Sequence, residues 1–79
     1  MPTEPADTLL DTRGEKCPLP VLRMQKRLDG LPPGARLTLL ATDPMAKIDV
    51  QLHCRQHGHA CTLASEGDVL VFTILKAPD

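Results

Sequence analysis

The chain has almost no aromatic side chains: Phe72 stands alone, and tryptophan and tyrosine are absent. Proteins that hold single-stranded nucleic acid usually stack its bases on aromatic rings, so this mode of binding has no basis in the composition. The net charge of −1 also argues against a nonspecific binder of polyanions. Direct binding of nucleic acid is therefore not expected.

Long hydrophobic runs are lacking too, and no apolar stretch approaches the roughly 18 to 20 residues that span a bilayer. The first residues, MPTEPADT, carry neither the basic nor the apolar region of a signal peptide. Three cysteines are an odd number for a disulfide framework. We expect a cytoplasmic protein that avoids the membrane and keeps its thiols reduced.

At 79 residues the chain has room for one small domain and one modest core, and not for a separate substrate domain. We expect a flexible tail over residues 1–6 and a single domain over residues 7–79. Short apolar runs predict strands at 8–12, 35–42, 59–64 and 69–75. Helical spacing predicts helices at 18–28 and 44–57, and glycines and prolines separate the segments.

The resulting order, β-α-β-α-β-β, predicts an α/β two-layer sandwich: a four-stranded mixed sheet with two helices on one face. The first helix is expected to bury Val21, Met24 and Leu28. The second is expected to begin after Asp43 as its N-cap and to bury an apolar stripe. That stripe comprises Met45, Ile48 and Leu52, with Val50 and Cys54 as further candidates.

The stretch GEKCPLPV, residues 14–21, sets a cysteine directly before the first predicted helix. Proline is tolerated at the first helical position and biases the preceding residue toward extended backbone, so Cys17 is interpreted as the N-cap. If Pro18 and Pro20 lie in the first turn, the Leu19 N–H is its only uncommitted donor. A thiolate there is expected to have a lowered pKa. The alternative is a small buried hydrophobic residue.

Basic residues cluster around this cysteine, with Glu15 as the only acid among them. They are Arg13, Lys16, Arg23, Lys26 and Arg27. A locally positive surface of this kind could dock an acidic partner or a phosphate backbone. The alternative is a solvated outer face of a helix.

The stretch HCRQHGHAC, residues 53–61, raises a second possibility, because His53 and His57 lie one helical turn apart and Cys54 is close by. These side chains could bind a metal ion, but their spacing matches no standard zinc pattern. Our prediction is that the chain binds no metal and needs no cofactor. Cys54 is expected to be a buried packing residue of the second helix. Cys61, on a strand, is expected to be part of the core.

Residues 11–21, DTRGEKCPLPV, resemble the signature of the TusA/SirA-like family of small sulfur carriers, whose mark is C-P-x-P at the start of the first helix. The similarity runs from about Leu9 to Lys76 and includes Gly14 and the motif Cys17, Pro18, Leu19 and Pro20. It continues at Pro33-Gly34, Asp43-Pro44, Asp49-Val50, Cys54 and Gly58-His59. The family fold is a two-layer α/β sandwich, in agreement with the elements predicted above.

The resemblance implies a sulfurtransferase-like carrier that accepts sulfane sulfur as a persulfide on Cys17 and passes it to an acceptor protein. Donors in such a family are cysteine desulfurases or rhodanese-like proteins. Destinations are tRNA thiolation, molybdenum cofactor assembly and sulfur oxidation. A carrier needs no base of its own, and a monomer is expected because the thiol must meet successive partners.

Glu15 departs from the family pattern, in which this position is often apolar, and we expect it to tune donor choice together with Lys16. The alternative function is a non-enzymatic regulatory or RNA-associated module, in which Cys17 is structural or senses redox state. Thiol reactivity against pH distinguishes the two, because a carrier is expected to contain one cysteine with a pKa well below about 8.5.

Overall fold

The sheet is built from strands whose side chains alternate between a buried and an open face. In the computed structural model, which describes residues 7–77, the second strand buries Leu37, Leu39 and Ala41, and the residues between them face away. This period of two is what a sheet covered on one side requires. The strands are β1 (Asp7–Thr12), β2 (Arg36–Ala41), β3 (Ala60–Glu66) and β4 (Val69–Leu75).

Two helices, α1 (Leu19–Asp29) and α2 (Ala46–His57), complete the predicted order β-α-β-α-β-β. The sheet order is β1-β2-β4-β3; β1 and β2 are parallel, and β4 is antiparallel to both of its neighbours. Both helices contribute to one core with the buried face of the sheet. The two-layer sandwich with a four-stranded mixed sheet is therefore confirmed. The tail predicted at residues 1–6 lies outside the described residues.

The core lies between the helices and the two central strands. Phe72 and Ile74 of β4 pair with Leu39 and Leu37 of β2, and all four side chains are fully buried. Met24 and Leu28 of α1 cover them as the sequence predicted, while Val21 is only partly buried. Each large apolar side chain removed from water in this way contributes about 1.5 to 3 kcal/mol.

The predicted inner face of α2 is wrong. Met45, Ile48 and Leu52 are 49%, 59% and 48% exposed. The helix instead buries Ala46, Val50 and Cys54, of which Val50 and Cys54 had been further candidates. These three residues follow each other at intervals of four along nearly the opposite side of the helix. The stripe of smaller side chains therefore faces the core, and the larger apolar side chains are left at the surface.

A tight turn connects the antiparallel strands β3 and β4. Gly67 and Asp68 form a two-residue connection in which Gly67 has a φ of +62°, a conformation that glycine adopts without steric cost. The register pairs Glu66 with Val69 across the turn. The turn lies at the same end of the sheet as the carboxyl ends of β1 and β2, since Leu70 pairs with Ala41 and Ala41 with Thr12.

Candidate functional site

Cys17 lies in the loop between β1 and α1, at the carboxyl end of the first strand, and its side chain is exposed. The loop is shaped by hydrogen bonds from the Glu15 N–H to the Thr12 carbonyl (3.1 Å) and from the Leu19 N–H to the Lys16 carbonyl (2.9 Å). Gly14, with a φ of +85°, donates its N–H to Thr42 Oγ1 at 2.9 Å. The loop is therefore in contact with the segment that follows β2.

The predicted capping role of Cys17 is wrong. The N-cap position of α1 is Pro18, with φ −98° and ψ 14°, and no side chain caps the helix. The Leu19 N–H, expected to be free for the sulfur, is taken by the Lys16 carbonyl. A turn over residues 16–19 thus precedes the helix and moves Cys17 one residue further out, away from the N–H groups of the first helical turn.

Two aspartates from the second half of the chain hold Cys17 instead. The Cys17 N–H donates to Asp43 Oδ2 at 2.5 Å, and the Cys17 thiol donates to Asp49 Oδ2 at 2.6 Å. Asp43 was predicted as the N-cap of α2, but that position is occupied by Met45; Asp43 precedes it in the connection from β2, and its Oδ1 accepts the N–H of Met45 at 3.1 Å. Asp49 belongs to the first turn of α2. The site is therefore formed by two loop and helix segments that follow neighbouring parallel strands.

The electrostatics of the site reverse the sequence prediction for the thiol. The hydrogen bond to Asp49 raises the pKa of Cys17, and partial desolvation and the charges of Asp49 and Asp43 act in the same direction. Asp43 itself has a lowered pKa, chiefly because it accepts the Cys17 N–H. The resting side chain is a neutral thiol with an acidic neighbour, where the sequence had indicated a thiolate stabilised by a helix.

Sequence reasoning missed Asp49 as a partner of the thiol, although a signal for it exists. The loops that follow parallel strands β1 and β2 meet at the same edge of the sheet, where α/β proteins place their sites. An acid shortly after β2 is therefore placed near a cysteine shortly after β1. Asp43 and Asp49 both satisfy this condition.

A shallow cleft of about 240 Å³ runs from the site between α1 and α2. It is lined by Pro18, Val21, Asp49, Leu52, His53 and Gln56. Large apolar side chains of both helices are exposed as well. Leu19 and Leu22 on α1, Met45 just before α2, and Ile48 and Leu52 on α2 are each about half exposed, and Leu52 also lines the cleft. We call these five side chains the apolar rim.

The five basic residues predicted to form one docking surface occupy different surroundings. Arg13 pairs with Asp11 at 2.7 Å, and Arg23 pairs with Glu15. Within residues 7–77, Lys16, Lys26 and Arg27 form no ion pair within 4.0 Å. Arg23, Lys26 and Arg27 line a groove of about 540 Å³ beside β1, which we call the basic groove; Thr8, Leu10, Gly30 and Leu31 complete its lining.

The other two cysteines are less exposed than Cys17. Cys54 is 1% exposed, and burial raises the pKa of its thiol to about 12. Cys61 is partly buried and packs against the core, where burial raises its pKa as well. The expected packing role of Cys54 agrees with the structure, whereas Cys61, expected in the core, is only partly buried and packs against it.

The three histidines come together at the end of α2. The ring centroids of His53 and His57 lie 4.2 Å apart, and His59 lies 6.4 Å from His53 and 6.2 Å from His57. His59 Nδ1 accepts the N–H of Ala77 at 2.8 Å. Over the described range, 7–77, no group of three or more histidine, cysteine, aspartate or glutamate side chains is arranged to hold a metal ion.

The exposed thiol of Cys17 lies at the strand ends of a small two-layer sandwich. Comparison with known families identifies the class to which the chain belongs. Residues 8–76 match the family described as sulfurtransferase TusA, and the chain belongs to this family of sulfur carriers.

Individual relatives agree with this assignment. The chain is 50% identical over 66 residues to a candidate sulfur carrier protein of Neisseria meningitidis serogroup A, covering 84% of this chain and 88% of that protein. It is 39% identical over 57 residues to the sulfur carrier protein TusA of Pseudomonas paraeruginosa, covering 72% of each. The crystal structure of a SirA-like protein from Desulfitobacterium hafniense superposes with a TM-score of 0.81 at 25% identity, over 89% of this chain and 97% of that one.

Proposed function

We propose that this protein carries sulfane sulfur as a persulfide on Cys17, taking it from a donor protein and passing it to an acceptor protein. The observation that carries the proposal is the placement of Cys17: it is the exposed cysteine of the three, at the strand ends of a TusA-family fold. Cys54 is buried and Cys61 is half-buried, so neither can meet a partner's sulfur as readily.

The surroundings of Cys17 support a protein as the exchange partner. Exposed apolar side chains that cluster at one place usually mark an interaction surface. Four residues of the apolar rim lie within three positions, along the chain, of Cys17, Asp43 or Asp49, and the fifth, Leu22, follows Cys17 by five positions. A donor or acceptor that covers the rim would place its own reactive sulfur over Cys17.

The basic groove supports an acidic element on that partner. Lys26 and Arg27 have no ion pair among the described residues, and the Thr8 hydroxyl that lines the groove is buried there with no hydrogen-bond partner in the same range. An acidic side chain in the groove would satisfy these groups. We therefore propose that partners combine an apolar contact at the thiol with an acidic contact beside β1.

The donor we propose is a cysteine desulfurase or a rhodanese-like protein, and the destination is tRNA thiolation, molybdenum cofactor assembly or sulfur oxidation. The three free cysteines are compatible with the reducing cytoplasm, where we propose that a monomer acts. For the described residues, no helix is long and apolar enough to cross a membrane.

The proposal is tested by the mass of the intact protein after incubation with a cysteine desulfurase and cysteine, and in parallel with a persulfidated rhodanese. Wild type is expected to gain the mass of one sulfur, and Cys17→Ser is expected to gain none. Cys61→Ser is the matched control and should load like wild type. Absence of loading with both donors, or undiminished loading of Cys17→Ser, would refute the proposal.

Charge reversal in the basic groove tests the second contact. Lys26→Glu combined with Arg27→Glu should slow loading from a protein donor about tenfold or more at low salt, because the electrostatic attraction becomes repulsion. Alkylation of Cys17 by neutral iodoacetamide should proceed in this double variant at the wild-type rate. Lys47→Glu, a reversal on the exposed face of α2 outside the groove, is the control. Equal slowing of both variants would point to net charge rather than to the groove.

A further inference from the structure

The carboxylate of Asp49 is the charged group that directly contacts the sulfur of Cys17. We propose that Asp49 is a catalytic residue of sulfur exchange: it holds the Cys17 thiol neutral between transfers, accepts its proton during loading, and repels the persulfide so that sulfur is readily passed on. This inference rests on the proposed function, because it describes how the same thiol would be loaded and emptied.

The geometry places Asp49 in reach of the reacting atom. Its Oδ2 lies 2.6 Å from Cys17 Sγ, and the second aspartate, Asp43, fixes the Cys17 backbone through the N–H at 2.5 Å. Asp43 therefore orients the residue and Asp49 contacts its sulfur. The charged groups around the thiol are Asp49 on α2, Asp43 between β2 and α2, and Lys16 on its own loop, whose charge acts on Asp43.

Loading then proceeds without an added oxidant or base. The Cys17 sulfur attacks the outer sulfur of the donor persulfide while its proton passes to the Asp49 carboxylate. The new bond joins Sγ to that outer sulfur. The sulfur–sulfur bond of the donor breaks, and its electron pair leaves on the donor thiolate, which takes up the proton from Asp49 and so restores the carboxylate. The sum is donor persulfide plus Cys17 thiol giving Cys17 persulfide plus donor thiol.

The same carboxylate disfavours the loaded anion. A persulfide extends Cys17 by one sulfur, about 2 Å beyond Sγ, so its negative charge stays close to Asp49 and Asp43. Two like charges at this distance oppose one another. When an acceptor thiol attacks the outer sulfur, the sulfur–sulfur bond breaks, and the departing Cys17 sulfur takes the bond's electron pair and the proton that the acceptor thiol gives up. The carrier thus keeps sulfur weakly enough to release it.

A purely structural role for Asp49 is the competing explanation. An acid in the first turn of α2 interacts favourably with the helix dipole wherever its side chain points. If Asp49 had only this role, Asp49→Asn would lower the free energy of unfolding and would leave the pH dependence of Cys17 reactivity unchanged. The pH dependence of Cys17 reactivity therefore separates the two roles.

We would measure the alkylation rate of Cys17 by iodoacetamide between pH 6 and 10, with the modified site assigned by peptide mass. Wild type is expected to show a midpoint above the value of about 8.5 for a free cysteine. Asp49→Asn should move the midpoint down by about one pH unit, which raises the thiolate fraction at pH 7 roughly tenfold. Since a less basic thiolate is a weaker nucleophile, the net rate should rise about threefold to fourfold.

Two further variants sharpen the measurement. Asp49→Glu keeps the charge and should retain a midpoint near that of wild type. Asp68→Asn, at the hairpin turn on the same edge of the sheet, removes an exposed acid that does not contact Cys17 and should change nothing. An unchanged midpoint in a folded Asp49→Asn would overturn the inference. If that variant does not fold, a wild-type midpoint at or below about 8.5 would overturn it as well.

Sulfur partition provides the second readout and keeps the two proposals apart. With a persulfidated rhodanese at equilibrium, Asp49→Asn should hold a severalfold higher ratio of persulfide to thiol than wild type and should pass sulfur more slowly to dithiothreitol. Equal ratios and rates in the two proteins would contradict the role of Asp49 in release. Failure of both proteins to load refutes the proposed function, whereas the alkylation profile still reports on Asp49.

Discussion

Cys54 contributes to stability as a buried side chain and not as a reactive thiol. Its side chain is 1% exposed and packs in the core with Val50, and its free thiol interacts with the free thiol of Cys61. Cys54→Ser replaces a small apolar group by a smaller hydroxyl that must be buried, so we expect unfolding in urea to become easier by about 1 to 3 kcal/mol. Loading of Cys17 should persist in the folded fraction. Loss of loading at unchanged stability would instead assign Cys54 a chemical role.

At this scale the sequence located the exposed thiol and misjudged its environment. The prolines beside Cys17 suggested a helix cap, which is a local argument over a few neighbouring residues. The groups that decide the state of the thiol, Asp43 and Asp49, lie 26 and 32 residues along the chain. Their proximity depends on which strands pair, and local backbone preferences contain no information on that.

Among the elements, α2 has two apolar stripes: one is buried in the core, and the other is exposed and belongs to the apolar rim. Val50→Ala removes buried volume from the inner stripe and should cost about 2 kcal/mol in urea unfolding. Ile48→Gln changes a side chain that is 59% exposed and should stay within about 0.5 kcal/mol of wild type. The second substitution should nevertheless slow sulfur transfer from a protein donor, because Ile48 belongs to the apolar rim. Comparable stability losses in both variants would contradict the observed orientation of the helix.

The position of α2 could be predicted within two residues, but its orientation could not. Size and hydrophobicity favour Met45, Ile48 and Leu52 for the core, and those criteria assume that the largest apolar stripe is buried. A surface that must contact partners violates this assumption. The strands were more predictable: β4 has the predicted bounds, and the alternation in β2 reports directly which face is covered.

For the whole molecule, the stacked histidines predict a loss of stability on mild acidification. Burial lowers the pKa of His53 and of His59, and the positive charge of a neighbouring histidine acts in the same direction, while Asp29 opposes it. The unfolded chain therefore binds more protons below about pH 6.5, and stability that is fully present above this pH falls as the pH drops toward the lowered values.

Thermal unfolding between pH 7.5 and 5.5 checks this expectation. The melting temperature should decrease over this range in wild type and decrease less in His53→Gln, which removes one of the three rings. Lys47→Gln, a substitution on the exposed face of the same helix, should follow the wild-type curve. A melting temperature that is constant or rises toward pH 5.5 would show that the histidines do not couple to folding.

The overall architecture followed from the sequence because two helices and four strands in a short chain have few ways to bury their apolar faces. The strand order did not follow, although β4 contains the evidence for it. VLVFTIL is apolar at six of its seven positions, and it is this strand that lies between β2 and β3. A strand with polar side chains at three of its seven positions, such as ACTLASE, suits an edge.

Because Cys17 and Asp49 meet only through the packing of two distant segments, the reactivity of the cysteine also reports the integrity of the chain. An opening that separates α2 from the β1–α1 loop turns Cys17 into an ordinary thiol without any change of covalent structure. Native-state thiol labelling would then read the free energy of that opening directly, with Cys54 as an internal reference for the deeper unfolding of the core. The labelling rate of Cys17 would therefore also measure the local stability of the structure around it.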